Sequence, residues 1–202
     1  MNNKQIKESI IKTIQTEANE LNNLSNYLNY NQTIKAIKLL SKCKGNILIT
    51  GCGTSAQAAK KIVHSMNCIN ISSFYLNPSD SVHGSIGTVT KKDIVIFISK
   101  GGNTTELTNF IQNIKLKKAK IIYVGENDSS ILAKNADIIL KVKIKSEPDE
   151  YNMLATASTI SVISLFDAIC IALMKYNKFK LRDFEINHPK GAVGERLKNR
   201  RH

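Results

Sequence analysis

The sequence is poor in the residues that form linkers and aromatic surfaces. Its 202 residues include three prolines, ten glycines and no tryptophan. So few chain breakers argue against long linkers and disorder, and the length suits a single domain. Aromatic residues make up 6% of the chain and hydrophobic residues 42%. We therefore expect a core built mainly from Ile, Leu, Val and Ala.

Cysteine is also scarce, and its spacing argues against the usual cysteine sites. No pair has the C-x-x-C spacing of a metal centre or a redox motif. We predict reduced, buried thiols and no metal, as in a cytoplasmic protein. Met1–Glu8 contain no apolar stretch of the signal-peptide kind, so no secretion signal is expected. The cysteines are Cys43, Cys52, Cys68 and Cys170.

Acidic residues are outnumbered, which gives the chain a basic character. There are 29 Lys and Arg residues against 16 Asp and Glu, for a net charge of +13. The lysines are scattered, and the short basic cluster from Arg196 to Arg201 has no aromatic residues between its charges. We therefore expect no nucleic-acid partner. A positive field of this kind favours small anionic substrates.

Long apolar runs are missing as well. The longest lies around Ile160–Met174 and is interrupted by Ser161, Ser164 and Asp167. We therefore expect no membrane-spanning segment and no membrane partner.

Helical periodicity marks the beginning of the chain. Apolar residues recur at helical spacing from about Lys4 to Leu28, and a second helix is predicted through Ile34 and Leu40 before Gly45 interrupts the pattern. We predict one domain over residues 1–202, with an N-terminal helical arm over about residues 1–44.

Short apolar runs then alternate with helical segments, which predicts a parallel sheet. Continuous apolar runs are typical of strands buried on both faces. The alternation predicts a three-layer α/β/α sandwich with a five-stranded parallel sheet. The predicted strands are Asn46–Thr50, Ile71–Leu76, Asp93–Ser99, Lys120–Gly125 and Asp137–Val142. The predicted helices are Ser55–Met66, Thr104–Lys117, Ser129–Asn135, Met153–Tyr176 and Leu181–Glu185, followed by a loop at His188–Gly194.

Gly51–Ala56 (GCGTSA) follow the first predicted strand, at the edge of the sheet where open α/β proteins bind ligands. Glycine permits a tight turn here, Thr54 and Ser55 supply hydroxyls, and the start of a helix offers free N–H groups. A phosphate site, a Rossmann-type nucleotide loop with alanine in the last place, and a plain strand-to-helix turn all fit this segment.

Ser99–Glu106 (SKGGNTTE) follow the third predicted strand and have the same character. Thr104 or Thr105 also fits the role of a simple helix cap, with Glu106 favourable in the first turn. Two such loops at one edge of a single sheet favour a shared anion site.

Both loops resemble those of the SIS (sugar isomerase) family, and in particular its arabinose 5-phosphate isomerase branch. The first is similar to the family's Gly-x-Gly-Lys-Ser-Gly segment and the second to its Ser-x-Ser-Gly-Glu-Thr/Ser-x-Glu segment. Pro78–Gly87, Leu154–Thr159 and Asn187–Gly194 also match in order. The resemblance implies a flavodoxin-like topology and a homodimer or homotetramer. We also expect no paired CBS domains, which follow this module in many members.

The resemblance also implies roles for individual residues. It implies a phosphosugar aldose–ketose isomerase that uses no cofactor and moves a proton through an enediol. Glu147, His188 and His83 match catalytic positions, with His188 offered across a subunit interface and Glu150 as the alternative acid. The expected substrate-binding residues are Gly53, Thr54, Ser55, Ser99, Lys100, Gly102, Asn103 and Thr104.

Two loop positions depart from the family pattern. Thr54 stands where the family has lysine, and Asn103 where it has glutamate. An amide cannot act as a base at neutral pH. Lys100 places an ammonium in the second loop, and we expect it to compensate. These replacements leave a non-catalytic phosphosugar sensor as the alternative function.

Two further classes of protein fit the sequence less well. A DNA-binding regulator would be expected to have a helix-turn-helix segment before the module. A nucleotide-dependent oxidoreductase needs an acid after the second strand that binds the ribose, and Asp80, beyond Pro78, is a poor candidate.

Overall fold

The computed structural model describes residues 1–198 and contains one sheet. Its five strands are parallel and lie in the order β2-β1-β3-β4-β5, which is the flavodoxin-like order. The predicted sheet is therefore confirmed. The strands are β1 (Ile47–Gly51), β2 (Ser73–Tyr75), β3 (Ile94–Ile98), β4 (Lys120–Gly125) and β5 (Ile138–Lys141).

The inner strands are apolar because both of their faces are covered. Every residue of β1 and β3 is buried, and Ile49, Ile96, Ile122 and Ile138 form one row across four strands. The edge strand β2 is shorter than the predicted Ile71–Leu76, since it pairs with one neighbour only.

Helices cover both faces of the sheet, which confirms the three-layer sandwich. One face packs against α1, α2, α3 and α7, and the other against α5 and α6. The short helix α4 and a 3-10 turn at Ser85–Thr88 had not been predicted. The helices are α1 (Asn3–Tyr27), α2 (Tyr30–Ser41), α3 (Thr54–Cys68), α4 (Pro78–Ser81), α5 (Thr105–Leu116), α6 (Ile131–Asn135), α7 (Ala157–Tyr176), α8 (Leu181–Asn187) and α9 (Gly191–Lys198).

The predicted N-terminal arm is partly built into the core. Leu24 of α1 and Leu40 of α2 are buried in the cluster on the α7 side of the sheet. The first half of α1 lies outside it, and Ile6, Ile10 and Ile14 are exposed. Only this half projects from the domain as an arm.

The apolar helix α7 begins later than predicted, at Ala157 and not at Met153. This 20-residue helix is long and apolar enough to cross a membrane by length and composition, since an 18-residue stretch of it has a mean hydropathy of 2.0. The expectation that no segment reaches that length is therefore wrong. The polar residues Ser161, Ser164 and Asp167 do not outweigh the aliphatic ones. Apolar residues of α7 such as Leu165 and Phe166 are buried in the core, where they pack against the sheet side of the domain.

The end of the chain also differs from the prediction. The predicted loop at His188–Gly194 is wrong, because α9 starts at Gly191, where a φ of 77° lets the chain turn into a new helix. The preceding helix α8 extends to Asn187. Arg200 and Arg201 of the basic cluster lie outside the described residues.

Candidate functional site

A cavity lies where β1, β3, β4 and β5 end. Thr54 and Ser55 line it from the start of α3, and Lys100 from the loop after β3. Ser158 and Thr159 line it from the first turn of α7. The start of α3 carries uncapped N–H groups and a partial positive charge, which favour an anion in this cavity.

The first loop is shaped by its glycines. A side chain at Gly51 would meet the Ser55 backbone at 3.0 Å and the Ile98 carbonyl at 3.1 Å, so glycine allows α3 to start close to the sheet. Gly53 has a φ of 56° and precedes α3 without a side-chain cap. The first N–H groups of α3 therefore remain available beside Thr54 and Ser55.

The second loop holds its hydroxyl groups in an internal network. Ser99 Oγ lies 2.8 Å from Thr104 Oγ1 and accepts the Gly102 N–H at 3.1 Å. Thr104 precedes α5 but makes no capping bond through its side chain, so the alternative that Thr104 is a simple helix cap is not supported. The first N–H groups of α5 therefore point out of the loop uncapped.

Asn103 attaches this loop to α6. Its Oδ1 accepts the N–H of Ile131 at 2.9 Å, at the first position of that helix. Gly102, with a φ of 68°, packs so closely on Ser130 and Tyr123 that a side chain there would overlap them. Both residues were predicted to bind substrate, and both hold the loop against α6.

Glu147 is buried beside the cavity at the start of α7. Its side chain is 1% exposed, and its Oε2 accepts the N–H groups of Thr156 at 3.0 Å and Ser158 at 3.3 Å. The carboxylate therefore caps α7. Glu150, the alternative acid, is exposed.

Asp149 folds the loop that carries Glu147. Its carboxylate accepts the N–H groups of Tyr151, Met153 and Leu154 at 2.8–3.0 Å. Burial acts to raise the pKa of Asp149, but these donors outweigh it and hold the pKa below its ordinary value. This turn delays the start of α7 and leaves its N–H groups for Glu147.

Lys100 is the partner of Glu147 on the cavity side. Its Nζ lies 3.5 Å from Glu147 Oε1, and its side chain is 46% exposed. The structure therefore brings together Thr54, Ser55 and Lys100 around one cavity, with Glu147 next to it.

Comparison with known proteins assigns the chain to a family. The SIS domain profile matches residues 39–172. The chain belongs to the SIS domain family. It is 33% identical over 192 residues to arabinose 5-phosphate isomerase KpsF of Escherichia coli, covering 95% of this chain.

Two solved structures are similar to this chain over most of its length. A candidate sugar-phosphate isomerase of Listeria monocytogenes is 45% identical, with a TM-score of 0.92. The match covers 94% of this chain and all of the Listeria chain. Protein c3406 of Escherichia coli CFT073, in complex with arabinose 5-phosphate, is 28% identical with a TM-score of 0.89, over 94% of this chain and all of that chain. The matched part of this chain spans 61% of the length of KpsF and 50% of the length of KdsD from Pseudomonas aeruginosa.

The fold does not bring His188 to Glu147 within one chain. The His188 ring stacks on Phe184 at 4.5 Å, and its Nδ1 lies 3.1 Å from the Phe184 carbonyl. The neighbouring Asn187 donates to the carbonyl of Cys68, at the end of α3. The cavity lies at the other end of this 15-residue helix, about 20 Å away.

His83 is also outside the cavity lining. It lies exposed in the turn after α4, where its backbone N–H donates to the Asp80 carbonyl at 3.0 Å. Among the residues that line the cavity in the described part of the chain, there is no histidine.

Two features of the SIS domain site had not been predicted as site residues. Ser158 and Thr159 line the cavity, and the hydroxyl-rich start of an apolar helix is the signal that points to them. Glu106 lies close enough to Cys52 for its charge to act on the thiol. Burial first, and then this charge, raises the pKa of Cys52.

Proposed function

We propose that the protein is a phosphosugar aldose–ketose isomerase that interconverts ribulose 5-phosphate and arabinose 5-phosphate. The observation that carries the proposal is the buried Glu147 carboxylate beside a cavity formed by helix starts, hydroxyls and Lys100. Such a cavity suits an anionic sugar, and a carboxylate beside it suits proton transfer. The 33% identity to KpsF supports the choice of reaction.

The phosphate binds between the two glycine-containing loops. Thr54 and Ser55 donate from their hydroxyls and from the first N–H groups of α3, while Lys100 supplies the positive charge. Gly53 and Gly102 give the loops the conformations that expose these donors. Ser99, Asn103 and Thr104 hold the second loop in place through the contacts described above.

Proton transfer is the task of Glu147. Its Oε2 is held by two backbone N–H groups, which fixes the orientation of the carboxylate. The carboxylate removes the proton from the carbon next to the carbonyl, and the resulting enediol takes the proton back on the neighbouring carbon. An acid must also protonate the substrate oxygens, and histidine exchanges protons near neutral pH.

His188 is proposed to serve as that acid from a neighbouring subunit, with His83 as a second catalytic histidine. His188 lies at the far end of α3 from the cavity of its own chain. A homodimer or homotetramer can place His188 of one subunit at the Glu147 cavity of another, which reconciles its catalytic role with its distance from the cavity of its own chain.

A turnover assay tests the reaction, and a mixing assay tests the shared site. Purified protein is incubated with ribulose 5-phosphate and then with other pentose and hexose phosphates, and products are followed by NMR. We expect arabinose 5-phosphate from ribulose 5-phosphate. Mixing inactive Glu147→Gln and His188→Ala proteins is expected to restore up to about a quarter of the activity if sites are shared in a dimer. No recovery after subunit exchange would contradict a shared site.

A phosphosugar sensor is the second candidate function. Thr54 brings no charge to the first loop, and the Asn103 amide is engaged with α6. If a phosphosugar raises the melting temperature but no sugar of the panel is converted, the sensor function replaces the isomerase.

A further inference from the structure

Lys100 holds a position that binding of phosphate alone does not explain. It is the one charged side chain among the described residues that line the cavity. Its Nζ lies 3.5 Å from Glu147 Oε1. Phosphate binding alone would not require this contact with a carboxylate. Lys100 therefore connects the anion site to the acid.

Glu147 Oε1 depends on this lysine. The atom is buried and accepts no hydrogen bond from the residues that the structure describes, 1–198. The other oxygen, Oε2, already accepts two backbone N–H groups. Because a buried carboxylate oxygen without a partner is unfavourable, the Lys100 ammonium is what stabilises Oε1 in the unliganded protein.

The lysine has a fixed backbone and a movable side chain. Its carbonyl accepts the N–H of Glu126 at 2.9 Å and the hydroxyl of Tyr123 at 3.3 Å. These bonds hold the loop to the chain around β4. The side chain is 46% exposed, so the ammonium can move between Glu147 and the Thr54–Ser55 end of the cavity.

We propose that Lys100 exchanges partners when substrate binds: it pairs with Glu147 Oε1 in the free protein and with the substrate phosphate in the complex. This inference rests on the proposed function. Once the ammonium turns to the phosphate, Oε1 loses its partner and accepts the proton from the substrate carbon. The electrons of the broken C–H bond form the C=C bond of the enediol, while the carbonyl oxygen takes a proton from the proposed histidine acid. The hydroxyl on the deprotonated carbon then gives its proton back to that histidine, and the glutamic acid returns the first proton to the former carbonyl carbon.

This exchange makes the phosphate part of the reaction. Binding energy from a remote group raises kcat when it is used to prepare the reacting centre. A substrate without phosphate would therefore lose kcat as well as affinity, because Lys100 would stay on Glu147. Lys100 is in this respect a positioning residue that acts through Glu147.

A binding experiment tests the exchange without turnover. Inorganic phosphate is titrated into protein labelled with 13C at the glutamate carboxyl carbons, and the Glu147 signal is assigned by its loss in Glu147→Gln. We expect phosphate to shift this signal in the wild type and in Lys100→Arg. In Lys100→Met we expect no shift and about tenfold weaker phosphate binding, since charge-assisted bonds are the strong ones. Lys143→Met is the matched control, because Lys143 lines only the neighbouring groove.

A kinetic experiment tests its consequence. D-Ribulose, which lacks the phosphate, is assayed with and without phosphite dianion. We expect phosphite to raise the rate of the wild type and of Lys143→Met at least tenfold, and to have no effect on Lys100→Met. If the wild type isomerises nothing, the proposed function fails, and the carboxyl signal still decides the exchange. An unchanged Glu147 signal in phosphate-bound wild type, or equal phosphite activation of Lys100→Met, would overturn the inference.

Discussion

Glu20 Oε2 accepts a hydrogen bond from the backbone N–H of Lys145 at 3.0 Å, which joins the first helix to the segment leading to Glu147. Glu20 is 4% exposed and Lys145 is exposed, so this bond is partly buried. The second half of α1 therefore supports the loop that carries the proposed base, although 125 positions separate the two residues in sequence.

Removal of the Glu20 carboxylate is expected to destabilise the protein. Glu20→Ala leaves the Lys145 N–H without its partner, and we expect a loss of about 1–3 kcal/mol in the free energy of unfolding, measured with urea. The matched control is Glu8→Ala on the same helix, where an exposed pair with Lys4 is expected to contribute less than about 0.5 kcal/mol. Equal losses in both variants would contradict a supporting role for Glu20.

The fold could be predicted because its strands are buried on both faces. Runs such as Ile94–Ile98 leave no alternation, and their alternation with helical segments along the chain is typical of a covered parallel sheet. The start of α7 could not be predicted, because Met153 and Leu154 have the composition of a helix but donate their N–H groups to Asp149. A local side-chain acceptor overrode the helical pattern there.

Gly102 and Gly53 are expected to differ in their tolerance of alanine. Gly53→Ala meets no atom within 4 Å and only strains a φ of 56°, at a cost of about 1–3 kcal/mol. Gly102→Ala adds overlap with Ser130 and Tyr123 to a φ of 68°, and we expect a larger loss. Gly101→Ala is the control, because Gly101 has no positive φ and an added Cβ meets no atom within 4 Å. It is expected to change the free energy of unfolding by less than about 0.5 kcal/mol. Equal losses of thermal stability in Gly101→Ala and Gly102→Ala would contradict the close packing of Gly102 on Ser130 and Tyr123.

The thiol of Cys52 is expected to react slowly, and Glu106 to be part of the reason. Burial and this negative charge raise its pKa, so less thiolate is present at about pH 7.5. Glu106→Gln removes the charge, and we expect Cys52 to be alkylated about twofold faster, followed by peptide mass spectrometry. Cys43 serves as the internal reference, because burial and the charge of Asp93, and not Glu106, raise its pKa. An unchanged rate at Cys52 would place Glu106 away from the first loop.

The site could be predicted in part, for a geometric reason. The carboxyl ends of parallel strands meet at one edge, so Ser55 and Lys100 were expected to share a cavity and do so. The role of Asn103 could not be read from the sequence, since its contact with Ile131 depends on how α6 folds back over the loop. His188 contacts Phe184 of α8, the helix that ends just before it. Its proposed place at the cavity of a neighbouring subunit rests on the family resemblance and not on a pattern in this sequence.

Glu147→Gln is expected to lower kcat with little effect on folding. The amide oxygen still accepts the N–H groups of Thr156 and Ser158, but the side chain no longer takes up a proton. We expect kcat for ribulose 5-phosphate to fall about 10²–10⁴-fold. Glu150→Gln, which changes an exposed acid three positions away, is expected to keep the wild-type kcat.

The most direct test is isomerisation of ribulose 5-phosphate in deuterated water, followed by NMR. Proton transfer through Glu147 and an enediol predicts arabinose 5-phosphate that carries deuterium at C2, formed at least about a hundredfold more slowly by Glu147→Gln. Product formed without deuterium would indicate direct hydride transfer or a proton kept from exchange, and turnover retained in Glu147→Gln would contradict the role of Glu147 as the base.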